Sequence, residues 1–130
     1  MVRRSRFPTD GNAAAAVVRA AALVLVAKGN YADALLRFDD ILELDPNNLL
    51  AANNKAICML YTCNLAGAIA FLESVLRADI QRNMHNGVVF NLSMMYDLAT
   101  HNAKEKKRTL QALAQRYGSD DFDTTVLKLG

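Results

Sequence analysis

Apolar positions recur along this chain at three- and four-residue intervals, the spacing that places side chains on one face of a helix. Leu35, Phe38, Ile41 and Leu42 form one such stripe, and Ala68, Ile69, Leu72, Val75 and Leu76 another. Between them Ala52, Ala56, Met59 and Leu60 share a face. Further on come Val89, Leu92, Met95, Tyr96 and Leu98, then Leu110, Leu113, Ala114 and Tyr117, and last Phe122, Val126 and Leu129. Polar and glycine signals separate the stripes. Gly29-Asn30 reads as a helix stop followed by a helix start, with Asn30 as the cap and Asp33 in the first turn. Asp45-Pro46-Asn47-Asn48 is a turn, Asn64 a further cap, and Gly118 a stop. Asn102 with Glu105 makes a capping-box-like pair. The pattern predicts helices over about 13–28 and 31–44, one that starts near Asn48 and carries Ala52 to Leu60, one capped by Asn64 that holds Ala68 to Leu76, then 88–98, one from Asn102 to the stop at Gly118, and a short closing one over 119–129. Residues 1–12 read as a polar, irregular lead-in.

The stripes repeat. Ala34 stands four before Phe38, with Pro46 eight further on, and a step of 34 residues from Ala34 lands on Ala68. The same step pairs small Ala22 with Ala56 and large Leu25 with Met59, and Phe38 with Leu72. Small residues let helix backbones approach, and large ones fill the spaces between them. On these positions the stretch 29–48 resembles the tetratricopeptide repeat family. The resemblance implies an all-α chain: an α-solenoid of about three antiparallel helix-turn-helix hairpins plus a short C-terminal helix. The expected organisation is one domain, 13–130, with repeats at about 15–48 and 49–82, a degenerate pair at 83–117, and the closing helix at 119–129. In the second repeat Ile80 takes the place of Pro46, and Cys63 and Leu65 take those of Gly29 and Tyr31.

Composition narrows the function classes. The 15 basic and 13 acidic residues leave a net charge of +2, too balanced for a nucleic-acid footprint. The run Lys104, Lys106, Lys107, Arg108 contains Glu105 and reads as the wet face of a helix. Cys58 and Cys63 fit neither a C-x-x-C motif nor a disulfide framework; they read as packing or loop cysteines suited to a reducing compartment. Arg3, Arg4 and Arg6 precede an apolar run, but Pro8, Asp10 and Gly11 intervene and Arg19 interrupts it. The run is too short to span a membrane, and its register belongs to the first repeat. A mitochondrial presequence is the competing reading of this end.

No catalytic or cofactor constellation stands out. His85 and His101 have no cysteine or carboxylate at ligand spacing, so no metal site is expected. Phosphate-loop, dinucleotide and nucleophile-elbow patterns are missing from the sequence. Asp39-Asp40 and Asp120-Asp121 are adjacent pairs that point apart on a helix and read as solvated. The chain therefore reads as a non-enzyme needing no cofactor.

Binding is the better expectation. In repeats of this kind the first helix of each hairpin lines the concave groove. The residues placed there are Arg19, Leu23 and Val26, then Asn53, Asn54, Ile57 and Tyr61. Some relatives clamp a chaperone's C-terminal carboxylate with lysine, arginine and asparagine, and Arg19 with Asn54 echoes that clamp. Leu23 and Ile57 stand where further polar clamp residues belong. Ala13–Ala27 carries one charge, Arg19. A helix apolar nearly all round is buried on most sides, so a partner or upstream repeats are expected against it.

A narrower resemblance lies in Leu50–Tyr61, in the Phe-Asn-Leu and Met-Tyr-Asp-Leu elements of Val88–Leu98, and in the closing Asp121–Gly130. Together, from about Ala20 to Gly130, these are similar to the C-terminal region of the trafficking protein particle complex subunit 12 family. That similarity implies a non-catalytic protein-interaction subunit of a multisubunit vesicle-tethering complex in ER-to-Golgi and Golgi transport. Its partners would be the other subunits of that complex, with no nucleic acid and no small-molecule substrate. It would be cytoplasmic and peripheral at the ER–Golgi intermediate compartment and Golgi, held there through partners. The competing reading is a chaperone-linked adaptor that binds a peptide C-terminus in the concave groove.

Overall fold

A computed structural model describes the backbone of residues 7–99 and 103–117 and the side chains of 15–99 and 103–117. The expected closing helix at 119–129, the stop at Gly118, and the predicted roles of His101 and Asn102 lie outside the described residues. Among those described, all regular structure is helical: α1 (Phe7–Ala27), α2 (Tyr31–Leu44), α3 (Leu49–Tyr61), α4 (Leu65–Ala78), α5 (Ile80–Asn83), α6 (Asn86–Ala99) and α7 (Ala103–Tyr117). The all-α expectation holds among the described residues. Two departures are local. The helix expected from Ala13 begins at Phe7, so 7–12 are helical rather than irregular. Pro8 falls in the first turn, where its missing N–H removes no helical hydrogen bond. The one-turn α5, not expected, forms because Asp79 ends α4 and its Oδ1 accepts from the Arg82 N–H at 3.1 Å.

The turns show how side chains set helix ends. Gly29 has φ +79°, and its N–H donates to Val26 O at 3.0 Å while Asn30 N–H donates to Leu25 O at 2.8 Å. This is a Schellman closure of α1. Asn30, expected to cap α2 with its side chain, makes no such bond. The Schellman turn already directs the chain into α2. Asn48 and Asn64 do cap, accepting from Ala51 N–H and Gly67 N–H, each at 3.0 Å. A Cβ on Gly67 would collide with the Asn64 side chain, so glycine there leaves room for the cap.

The chain divides into two compact units, Met1–Thr62 and Cys63–Gly130. In the first, α2 packs on both α1 and α3. Its buried cluster joins Ala22, Ala34, Phe38, Ile41, Ala51 and Cys58. Asp39, read above as solvated, bridges α2 to α3 through Lys55 Nζ at 2.7 Å. Tyr31 and Tyr61 stack with ring centroids 4.5 Å apart, joining the start of α2 to the end of α3. In the second unit α6 packs on α4 and α7, and α5 on α4. Leu72, Val88, Val89, Leu92 and Met95 are its fully buried large side chains. The four small positions Ala22, Ala34, Ala56 and Ala68 are all at 0 % exposure, as the close-approach argument requires. Leu98, placed on the apolar stripe of α6, is instead 54 % exposed: it lies past the turn that packs, near the helix end.

Candidate protein-interaction surface

Three of the seven predicted groove residues come together. Arg19 and Leu23 of α1 and Asn54 of α3 line one recess, floored by Phe38, Ile41 and Ala51. Its volume is about 30 Å³, room for about one water. A terminal carboxylate with its flanking backbone needs far more, so in this geometry Arg19 and Asn54 do not frame a peptide cleft. Val26, Asn53, Ile57 and Tyr61 do not line that recess. Val26 is half-buried against the first unit's core, and Tyr61 is engaged with Tyr31.

The larger apolar feature of the first unit is a stripe on α1. Val17 is 68 % exposed, Leu23 53 % and Val24 50 %. Ala16, Ala20 and Ala27 are exposed between and beyond them. Val18, Ala22, Leu25 and Val26 face the core instead. The helix is thus apolar on both sides, one packed and one open.

The second unit presents a different surface. A recess of about 250 Å³ lies among α4, α5, α6 and α7, walled by Leu76, Ile80, Leu92 and Leu113. Glu73, Tyr96 and Lys106 stand at its side. The Tyr96 hydroxyl donates to Glu73 Oε2 at 2.7 Å, and Lys106 Nζ lies 3.5 Å from the same oxygen and 5.3 Å from the Tyr96 ring centre. Burial, then the hydrogen bond and charge of Glu73, push the Tyr96 phenol well above its ordinary range. It is held as a neutral donor, a brace between α4 and α6. Lys107 belongs to the run read as a wet face, yet it is only 6 % exposed. Its ammonium sits 3.2 and 3.3 Å from the two Asp97 carboxylate oxygens. Sequence reasoning missed both braces. The signal was there: Ala103, Lys107, Leu110 and Ala114 lie at helical spacing, so Lys107 shares the packed stripe.

Chemistry beyond packing is sparse. Cys58 is buried and Cys63 exposed, both free, and burial raises the Cys58 thiol above its ordinary range. His85 is spent on local structure, its Nδ1 accepting from Gly87 N–H at 3.1 Å as α6 begins. Among the described residues no group of three histidine, cysteine, aspartate or glutamate side chains is placed to hold a metal ion. Nor is any helix among them long and apolar enough to cross a membrane.

Comparison with known proteins agrees with this repeat architecture. The tetratricopeptide repeat family matches residues 25–86, from the last turn of α1 to the start of α6. The chain is 38 % identical over 109 residues to trafficking protein particle complex subunit 12 of Mus musculus, covering 83 % of this chain and 14 % of that protein. It is 37 % identical over 114 residues to the Homo sapiens protein of the same name, covering 87 % of this chain and 15 % of that one. The chain therefore spans about a seventh of the length of these curated relatives. No solved structure matches. The chain thus matches the tetratricopeptide repeat family over residues 25–86 and is similar over most of its length to subunit 12 of the trafficking protein particle complex.

Proposed function

We propose that this chain is a non-catalytic protein-interaction subunit of a multisubunit vesicle-tethering complex acting in ER-to-Golgi and Golgi transport. The observation that carries the reading is the 37–38 % identity to that complex's subunit 12 over 83–87 % of the chain. The physical features fit it. Tetratricopeptide hairpins present surface rather than chemistry, and α1 offers an unpaired apolar stripe of the kind that marks protein contacts. Its partners are the other subunits of the complex, and it reaches ER–Golgi intermediate compartment and Golgi membranes from the cytoplasmic side through them. The groove residues Arg19, Leu23, Val26, Asn53, Asn54, Ile57 and Tyr61 divide in role: Leu23 belongs to the docking face, Val26 and Tyr61 to packing. The chaperone-adaptor reading draws no support from the recess of about 30 Å³ between Arg19 and Asn54.

Affinity purification of the tagged chain from cells tests the reading. Tethering-complex subunits should co-purify and be unaffected by Arg19→Ala. Recovery of chaperones alone, abolished by Arg19→Ala, overturns it. Imaging of the same tagged chain should place it at the Golgi region, and a mitochondrial signal overturns that assignment.

A further inference from the structure

The recess of about 250 Å³ in the second unit has the build of an anchor site. Leu76 of α4, Leu92 of α6 and Leu110 of α7 form its depth, all three buried, while half-buried Ile80 and Leu113 form its rims. It lies between two successive second helices, α4 and α7, over the first helix α6 that packs on both. The helices that repeat stacking brings to this place are therefore all present, and no further hairpin falls here. Nor is it the groove expected along the first helices, since α4 and α7 wall it. Glu73 of α4 and Lys106 of α7 approach to 3.5 Å, and the Tyr96 hydroxyl of α6 reaches Glu73 at 2.7 Å. These contacts tie the walls and floor together at a fixed spacing.

Size and charge define the occupant. A pocket that encloses a whole small ligand has about 300–1,000 Å³. This one is smaller and suits one large apolar side chain of a longer molecule. Its charges do not balance. Arg77, Lys106 and Glu73 line it, and Glu73 is already engaged by Lys106 and Tyr96. Arg77 is exposed and makes no ion pair among the described residues. We infer that the recess binds a peptide segment of another protein, which places a leucine- or phenylalanine-sized side chain between α4 and α7 and an aspartate or glutamate carboxylate, from within one turn of it, on Arg77. A guanidinium suits this because its planar fork donates two parallel N–H bonds to one carboxylate. A lysine or arginine at that place in the peptide meets Arg77 and Lys106 with like charge and is rejected. That the segment belongs to a separate protein rests on the reading of the chain as an interaction subunit; the chemistry of the segment does not.

The test is selection of a phage-displayed random peptide library on the purified full chain, followed by fluorescence anisotropy with the selected peptides. Selected sequences should share a large apolar residue with an aspartate or glutamate within one helical turn of it. Leu113→Ala and Arg77→Glu should each weaken binding at least about tenfold. Replacing the peptide's acidic residue by lysine should restore binding to the Arg77→Glu chain while abolishing it for the parent. Circular dichroism checks the fold of each variant; should Leu113→Ala fail to fold, the charge exchange at exposed Arg77 still decides. Phe122→Ala should leave the affinity within about twofold. Binding tightened about tenfold by that change would place the chain's own closing segment in the recess and overturn the assignment to a partner. An empty selection, a consensus without an acidic residue, or binding indifferent to the variants also overturns the inference. The selection contains no tethering-complex component, so its failure leaves the proposed function standing. Failure of complex subunits to co-purify with the chain overturns the proposed function and leaves the selected peptide chemistry intact.

Discussion

Helices α1 and α3 are one repeat apart and built to the same register, yet the same positions are open in one and closed in the other. Ala22 and Ala56 are equally buried, while Val17 and Val24 stand open where Ala51 and Cys58 are packed. The residue sizes follow the difference. A filled interface in which α2 lies close takes alanine and cysteine; the open face carries valines. An apolar residue at a given repeat position is therefore not a core residue until a neighbouring helix covers it. The two hairpin turns make a second contrast at the same step. Gly29 and Cys63 both adopt positive φ, +79° and +66°, but only glycine does so without steric cost.

These contrasts can be broken experimentally. The largest effect belongs to the residue shared by both interfaces of α2: Phe38→Ala should cost about 3–5 kcal/mol by denaturant unfolding. The most direct attack on the α1–α3 comparison exchanges sizes. Cys58→Val should overpack the closed face and cost about 1–3 kcal/mol. Val24→Cys, its register counterpart, should stay within about 0.5 kcal/mol of the parent, because its face is open. Equal effects would erase the distinction between the closed face of α3 and the open face of α1. At the turns the signs should oppose. Gly29→Ala should destabilise by about 1 kcal/mol, whereas Cys63→Gly should stabilise by about 0.5 kcal/mol after the extra freedom of glycine in the unfolded chain is deducted. Thermal melts of the two variants suffice to compare them.

The smallest effect is the pH dependence of the second unit. The Tyr96 phenol is raised in the folded protein, so the fold holds its proton more tightly than the unfolded chain does. That contribution is fully present below the unfolded value, about pH 10, and is lost as pH climbs above it. Cys58, also raised, adds the same sign from the upper part of the thiol range, starting near its ordinary value of 9.0. Unfolding midpoints should therefore fall in alkali. Tyr96→Phe should flatten the steeper, later part of that fall and leave the earlier part, which Cys58→Ala removes.

Much of the fold was legible because repeats are written twice. Ala22, Ala34, Ala56 and Ala68 could be placed as close-approach positions from spacing alone, and Asn48 and Asn64 read as helix starts from chemistry confined to four residues. The misreadings fall where a side chain's partner is remote. Asn30 looked like a cap until the backbone of the preceding helix had already shaped the turn. Asp39 is nearly half exposed, as read, but its ion pair with Lys55 on the next helix was out of reach of local spacing. Lys107 looked wet because charge was weighed above its place on the packed stripe.

What the amino-acid sequence determined by itself is periodic and local: helical class, repeat length, the positions that must be small, and the apolarity of α1 all round. Those properties depend on neighbours within one or two turns, or on a pattern that recurs along the chain. The tertiary structure alone decided which apolar face of α1 is packed and which stays open, that Arg19 and Asn54 meet over a space too small for a peptide terminus, and that Tyr96 and Lys107 are braces. Each of these depends on which helix lies against which, and contact across helices is set by three-dimensional packing that a one-dimensional period does not specify.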